Sequence, residues 1–261
     1  MLTWKTLSSD NLLLCQFMVN YEMRQGEYLV AFNAKDNIVA CGLLIEDGTN
    51  QASVDVVVAP NSRRQGIGRQ LVRKLIASAR EQNVTRLVAH NVPEFWQAFD
   101  FVAIDDAISV LVLENAVNEL VNVWHTGIPM TEFMGLSINL AQPNHLITKA
   151  NMSRCINVHQ SMFAGAIYSQ AVLTGWGLIH LALIRYGLEG DIVLAHGDVK
   201  YRRPLLQDPC GEVNHALNIA DFADLRAGKK CGIELLVKMK EGASDRACAI
   251  FTGRYVILPK N

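Results

Sequence analysis

Two short stretches carry residue types that could act on a charged or activated substrate. The first is Pro60-Asn61-Ser62-Arg63-Arg64-Gln65-Gly66-Ile67-Gly68. A β-branched run, Ser53 to Ala59, precedes it. A helical spacing follows over Gln70 to Gln82, with Leu71, Val72, Leu75, Ile76 and Ala79 on one side. A strand feeding a glycine-rich turn that opens a helix aims free backbone N–H groups and the positive helix end at one point, which suits a pyrophosphate. Gly66 and Gly68 let the backbone approach a ligand closely, and Arg63 and Arg64 add charge-assisted contacts. A tight turn with solvated arginines would use the same residues; the strand-before, helix-after context favours the anion cradle.

The second stretch is Asn157-Val158-His159-Gln160-Ser161-Met162-Phe163-Ala164-Gly165, a polar loop entering a long apolar helix. An asparagine there either holds an Asx turn or N-cap, or offers its amide to a substrate. His159 is either a proton donor or a loop histidine satisfied by backbone. A basic stretch, Val199-Lys200-Tyr201-Arg202-Arg203-Pro204, is either a docking patch for an acidic or phosphate-bearing partner or a solvated strand end.

The elements that must position these residues fall into two groups. Tyr28–Phe32, a turn at Asn33–Asn37 and Ile38–Ile45 read as a hairpin, and Ile108–Leu113 as a further strand. A boundary falls near Glu114 to Asn118, giving domains 1–113 and 114–261. Beyond it, Ala116–Thr126 reads as an amphipathic helix. Gly135–Leu140 and His145–Ala150 read as strands split by Gln142-Pro143-Asn144. Phe163–Tyr186 is an apolar helix. Ile192–Tyr201, Glu212–Ala220 and a hairpin of Lys230–Lys240 with Arg246–Leu258 complete the chain. One long helix followed by antiparallel strands predicts an α+β domain with a sheet wrapped on a helix.

With 261 residues and half of them hydrophobic, the chain has material for one large core or two ordinary ones. A formal net charge of -1 gives no electrostatic case for nucleic acid. The six cysteines, at 15, 41, 155, 210, 231 and 248, have neither zinc spacing nor a C-x-x-C pair. They read as buried small hydrophobes in a reducing compartment, with no metal implied. Met1-Leu2-Thr3-Trp4-Lys5 lacks the layout of a signal peptide, so a cytoplasmic location is expected. The apolar run Phe163–Tyr186 is long enough for a bilayer, but it contains Gln170 and His180 and is read as a buried helix rather than a membrane insertion.

Residues 1–113 resemble the GNAT N-acetyltransferases. Arg63 to Gly68 looks like that family's (Arg/Gln)-x-x-Gly-x-(Gly/Ala) signature, and Glu94-Phe95-Trp96-Gln97-Ala98-Phe99-Asp100-Phe101 looks like its later segment. The resemblance implies an acetyl-CoA or CoA site formed by Val58, Arg63, Arg64, Gln65, Gly66, Ile67, Gly68 and Arg69. Two departures stand out: the family's tyrosine acid falls at Trp96, whose indole is no useful acid, and its glycine falls at Asp100. Asp55 is the nearest carboxylate for a base, or an outward-facing strand residue. Acyl-CoA binding is therefore better supported than acyl transfer.

Residues 114–261 resemble the hot-dog fold. Ile156-Asn157-Val158-His159-Gln160-Ser161-Met162-Phe163-Ala164-Gly165-Ala166-Ile167-Tyr168-Ser169 looks like the thioesterase-like domain of the two-domain malonyl-acyl-carrier-protein decarboxylases. That resemblance implies that Asn157 is critical for decarboxylation; the expected helix N-terminus would then offer backbone N–H groups near Ala164 and Gly165 to stabilise an enolate. The resemblance further implies that no cofactor is needed for that step and that the chain forms a homodimer. Acyl carrier protein and acyl-CoA are the implied partners, with Lys200, Arg202 and Arg203 as docking residues for the carrier protein. Gln160-Ser161 and Phe163-Ala164-Gly165-Ala166 stand where the family more often has Gly-Thr and Phe-Gly-Gly-Ser. From Met152 to Leu188 there is no Asp or Glu, so the carboxylate usual in hot-dog hydrolases is missing from its expected segment. The alternatives are acyl transfer by the first domain, thioester hydrolysis by the second, or a non-catalytic acyl-CoA or carrier-protein binding module.

Overall fold

The computed structural model describes residues 2–260; Met1, which begins the stretch read for a leader, lies outside them. The chain divides into two compact units, Met1–Asn115 and Ala116–Asn261.

The first unit is built on strands Thr3–Ser8 (β1), Glu27–Phe32 (β2), Ile38–Glu46 (β3), Gln51–Val58 (β4), Arg86–His90 (β5), Val102–Ala103 (β6) and Ile108–Val112 (β7). Its helices are Leu12–Phe17 (α1), Ile67–Glu81 (α2) and Pro93–Gln97 (α3). The strands form one sheet in the order β1-β2-β3-β4-β5-β7-β6. All pairings are antiparallel except β4 with β5, the pair that α2 connects. Period-two alternation puts Ala52, Val54, Leu87 and Ala89 on the face covered by α2, with Leu71, Val72 and Leu75. Tyr28, Val30, Cys41 and Leu43 sit on the opposite face with Leu14 and Met18. Gly42 lies under α2: a Cβ there would stand 2.7 Å from Leu75 Cδ1 and 3.1 Å from the Asp55 carbonyl, so helix and sheet approach only because it is glycine.

The second unit has helices Glu114–Gly127 (α4), Pro129–Met134 (α5), Ala164–Tyr186 (α6) and Ala223–Arg226 (α7). Its strands are Ser137–Gln142 (β8), His145–Lys149 (β9), Asp191–Tyr201 (β10), Pro209–Asn214 (β11), Cys231–Glu241 (β12) and Ala249–Leu258 (β13). They make an antiparallel sheet in the order β10-β13-β12-β11-β9-β8, curved around α6. The buried positions of β12 alternate strictly from Cys231 to Met239, which seats one face on the helix. Two helical glycines fit α6 to its neighbours. A Cβ on Gly175 would lie 2.8 Å from Tyr255 Cζ, and one on Gly177 would lie 2.8 Å from Trp124 Cζ2. By length and composition α6 could cross a membrane, yet most of it is buried inside this unit.

One expected strand is displaced. In place of Glu212–Ala220, β11 begins at Pro209 and ends at Asn214. Ile219–Phe222 is a 3₁₀ turn started by Asn218, whose side chain and that of Asp221 form a reciprocal capping box. Cysteine placement also differs in one case: five are buried, while Cys15 is exposed on α1.

Candidate functional site

The first unit contains a cavity of about 750 Å³ where β4 and β5 part. The parallel ladder runs from Gln51↔Arg86 to Val54↔Ala89 and stops there, although β4 continues to Val58 on β3. Beyond Val54 one backbone edge of β4 therefore has no strand partner and faces the cavity. At one end of the opening, Gly66 takes φ 77° as the N-cap of α2, with no side-chain cap on that helix. Its first-turn N–H groups are thus open toward the cavity. Gly68 sits close enough to β4 that a Cβ would lie 3.3 Å from Val58 Cγ2. Arg63, Arg64 and Arg69 line this end, and Arg63 Nε donates to the Val58 carbonyl at 3.2 Å. Of the eight residues expected at the CoA site, Val58, Arg63, Arg64, Gly66, Ile67, Gly68 and Arg69 line the cavity. Gln65 does not; its side-chain amide donates to the Asn61 carbonyl at 3.2 Å. The cradle fits a pyrophosphate with a narrow arm running along the open edge of β4.

The other end of the cavity has different chemistry. Glu22, Arg24, Tyr28, Cys41 and Asp55 line it. Arg24 Nη1 lies 3.3 Å from Asp55 Oδ2. The Tyr28 hydroxyl accepts from the Arg24 backbone N–H at 3.0 Å and donates to the Arg24 carbonyl at 3.1 Å. Burial raises the pKa of this phenol. Burial also pushes the Cys41 thiol up to about 12, and its Sγ rests 3.4 Å from Met18 Sδ. Trp96 is a buried wall, packed edge-on to Phe95. Asp100, at the family's glycine position, takes φ 66°, the left-handed conformation a glycine would supply. His90, Arg24 and Tyr28 escaped sequence reading, because only the fold brings their segments to this cavity.

In the second unit the loop before α6 is organised by Asn157. Its Oδ1 accepts from His159 N at 2.8 Å and Ser161 N at 3.3 Å, and its Nδ2 donates to Ser161 Oγ at 3.1 Å. Its backbone N–H reaches the Ser161 carbonyl at 2.8 Å. Gln160 takes the left-handed conformation, at φ 60°. Asn157 is therefore the Asx-type clasp of its loop. At the head of α6, Phe163 gives no side-chain cap, and its own N–H is taken by the Cys155 carbonyl at 2.7 Å. The N–H groups of Ala164 and Gly165 follow in the uncapped first turn. Tyr201 Oη donates to the Ala164 carbonyl at 2.9 Å, joining the end of β10 to this turn. Lys200 and Arg202 are exposed. Arg203 is engaged in the fold instead: it donates to the Arg246 carbonyl at 2.5 Å and lies 4.0 Å from Glu241 Oε2. Among the described residues, no three His, Cys, Asp or Glu side chains converge as a metal site.

These two architectures, a GNAT-like sheet with a splayed parallel pair and a hot-dog sheet around a central helix, define the class of protein. The chain belongs to the family described as "Putative thioesterase (yiiD_Cterm)", whose model matches residues 117–259. Residues 3–101 match the model of the acetyltransferase (GNAT) family. A protein from Shewanella oneidensis described as a "putative thioesterase" is 33% identical; the alignment covers 56% of this chain and all of that one, with a TM-score of 0.52. A protein of unknown function from Chlorobaculum tepidum shares the fold at 24% identity, covering 56% of this chain and 96% of its own, with a TM-score of 0.52. The chain thus joins a GNAT acetyltransferase-like domain to a thioesterase-like hot-dog domain.

Proposed function

We propose that the second unit decarboxylates a malonyl thioester, malonyl-acyl carrier protein, to the acetyl thioester that starts fatty acid synthesis, and that the first unit holds acyl-CoA. The reading is carried by one arrangement: an uncapped helix start beside a loop clasped by an amide, in a segment with no Asp or Glu from Met152 to Leu188. Decarboxylation needs no base. The C–C bond to the carboxylate breaks, its electrons move onto the thioester as an enolate, and carbon dioxide leaves. The enolate oxygen is met by the N–H groups of Ala164 and Gly165, and C2 then takes a proton. Asn157 fixes the loop that orients the malonyl group. The exposed cations Lys200 and Arg202 suit an acidic carrier protein. The edge strand β10 supports a homodimer joined sheet to sheet.

The test is incubation with malonyl-carrier protein, followed by mass. Acetyl-carrier protein is the expected product. Free carrier thiol would mean hydrolysis, which the family's description favours as a second reading, and unchanged substrate would mean binding alone. Sedimentation of the intact chain tests the dimer; a monomer at micromolar concentration would refute it. For the first unit, calorimetry with acetyl-CoA should show saturable binding that Gly66→Val weakens at least tenfold. The valine would be forced to φ 77° at the head of α2.

A further inference from the structure

We infer that His90 carries the proton for acyl transfer in the cavity of the first unit, taking the part of the phenol that Trp96 replaces. The inference rests on the reading of that cavity as an acyl-CoA site.

The argument begins with strand register. The last residues paired between β4 and β5 are Val54 and Ala89. Asp55 and His90 follow, one step past the ladder, where the two strands separate. Val54 and Ala89 face α2, so by strand alternation Asp55 and His90 point to the other face. Both line the cavity. They stand where β4 and β5 part, between the arginine end and the end lined by Glu22, Arg24 and Tyr28. An acyl group whose pyrophosphate sits on the first turn of α2 and whose arm follows the open edge of β4 ends at this throat.

The other groups at that end are poorly placed to move a proton. The Tyr28 hydroxyl is used as donor and acceptor by one residue's backbone. The Cys41 thiol is buried against Met18. Asp55 is paired with Arg24. Trp96 offers only an indole N–H. Glu22 lies on the connection between α1 and β2 rather than on an element of the sheet. His90 differs in each respect. It ends a strand paired with β7 through Ile108 and is half-buried at the cavity wall. Imidazole is the side chain that most readily gives and takes protons near neutrality. The chain turns sharply right after it through two left-handed residues, Asn91 at φ 59° and Val92 at φ 50°, so β5 ends at this histidine.

The step balances as follows. A primary amine, its ammonium proton already lost to solvent, forms a bond from nitrogen to the acyl carbon. His90 takes the second proton that this nitrogen sheds. The carbon–sulfur bond breaks with its electron pair on sulfur, and His90 returns the proton there. The products are an amide and free CoA thiol. With Asp55 neutralised by Arg24, the carboxylate of Glu22 suits an acceptor that arrives as a cation.

The test uses the full chain and its His90→Gln variant. Calorimetry with acetyl-CoA should give affinities within about threefold of each other, since His90 lies away from the pyrophosphate end. The imidazole resonances assigned to His90 by their loss in the variant should shift on addition of CoA and stay in place with desulfo-CoA. With acetyl-CoA and hydroxylamine as a small amine probe, loss of thioester absorbance should be faster with wild type by about 10²-fold or more than with His90→Gln. Trp96→Tyr in the His90→Gln chain should recover part of that rate. The C-terminal unit contributes equally to these chains. If acetyl-CoA does not bind wild type, the acyl-CoA reading itself falls. If it binds but His90→Gln matches wild type, or if wild type consumes the thioester no faster than hydroxylamine alone, the assignment of His90 is overturned while the binding reading stands.

Discussion

Asn157 spends its carbonyl oxygen on two backbone N–H groups and its amide nitrogen on Ser161. Substitution can separate those uses. Asn157→Asp keeps the acceptor that shapes the loop, removes the NH₂ donor and adds a negative charge that the proposed malonyl substrate would have to approach. The expected outcome is a folded chain, with thermal midpoint within a few degrees of wild type, whose decarboxylation falls by about 10²-fold or more. Asn157→Ala should lower both rate and midpoint, and an active Asp variant would remove the amide from the mechanism. Gln160 holds φ 60° without being glycine, a conformation that disfavours L-residues by about 1–2 kcal/mol. Gln160→Gly should therefore be neutral to stabilising by up to about 1 kcal/mol in urea unfolding, although glycine usually destabilises by loosening the unfolded chain.

At the scale of elements, α6 and the strands around it are fitted through missing side chains. Gly175→Ala would drive a methyl into the buried ring of Tyr255, whose hydroxyl donates to the Val172 carbonyl at 2.8 Å. The expected loss is about 1–3 kcal/mol, read as a lower urea midpoint at unchanged slope. How much of this was legible in the sequence varies by element. α6 and the hairpin of β12 with β13 announce themselves by length and alternation. The turn into α2 is marked by its glycines. The segment after β11 misleads: His215 to Ala220 looks strand-like, yet Asn218 and Asp221 cap each other and start a turn. β1, α1, β5, α3 and α5 left too short or too weak a pattern to stand out. That Asp55 and His90 both stand one step past the last paired residues depends on a parallel register, which no local pattern encodes, so the throat of the cavity could not be read from the residues that form it.

At the scale of the molecule, two features of the second unit set its behaviour in acid. Glu212 accepts from Lys240 at 2.6 Å and from His145 at 2.9 Å. Burial works to raise its pKa, but those hydrogen bonds outweigh it and the net shift is downward. A carboxyl depressed in the fold stabilises above its unfolded value of 4.5 and loses that contribution as pH falls through the lower folded value. His180 acts in a higher window. Burial first, and the charge of Lys260 second, hold its imidazole down to about 4 from 6.5. It stacks on Trp176 at 5.0 Å, and its Nε2 is buried with no hydrogen-bond partner among the described residues. Between those two values the unfolded chain binds a proton that the folded chain refuses, so stability falls as pH drops through the window. Urea unfolding from pH 7 to 4 should show this decline, and His180→Phe should flatten it. Glu212→Gln should leave that limb intact, weaken the limb below pH 4.5, and destabilise at neutral pH by about 1–3 kcal/mol because Lys240 loses its acceptor.

The order of elements along the chain gives α6 an exposed early life. Its wrapping strands β10 to β13 all lie C-terminal to it, so on the ribosome the helix emerges before four of the five strands that pack on it exist. Until β10 to β13 are synthesised, a segment apolar enough to be taken for a membrane span has only β9 of the strands that pack on it. Nascent chains halted before Cys231 should be held by chaperones that bind apolar surface, or be sampled by the machinery that sorts membrane proteins, and chains released past Leu258 should escape both. A stalled-ribosome series with chaperone crosslinking would show the release point.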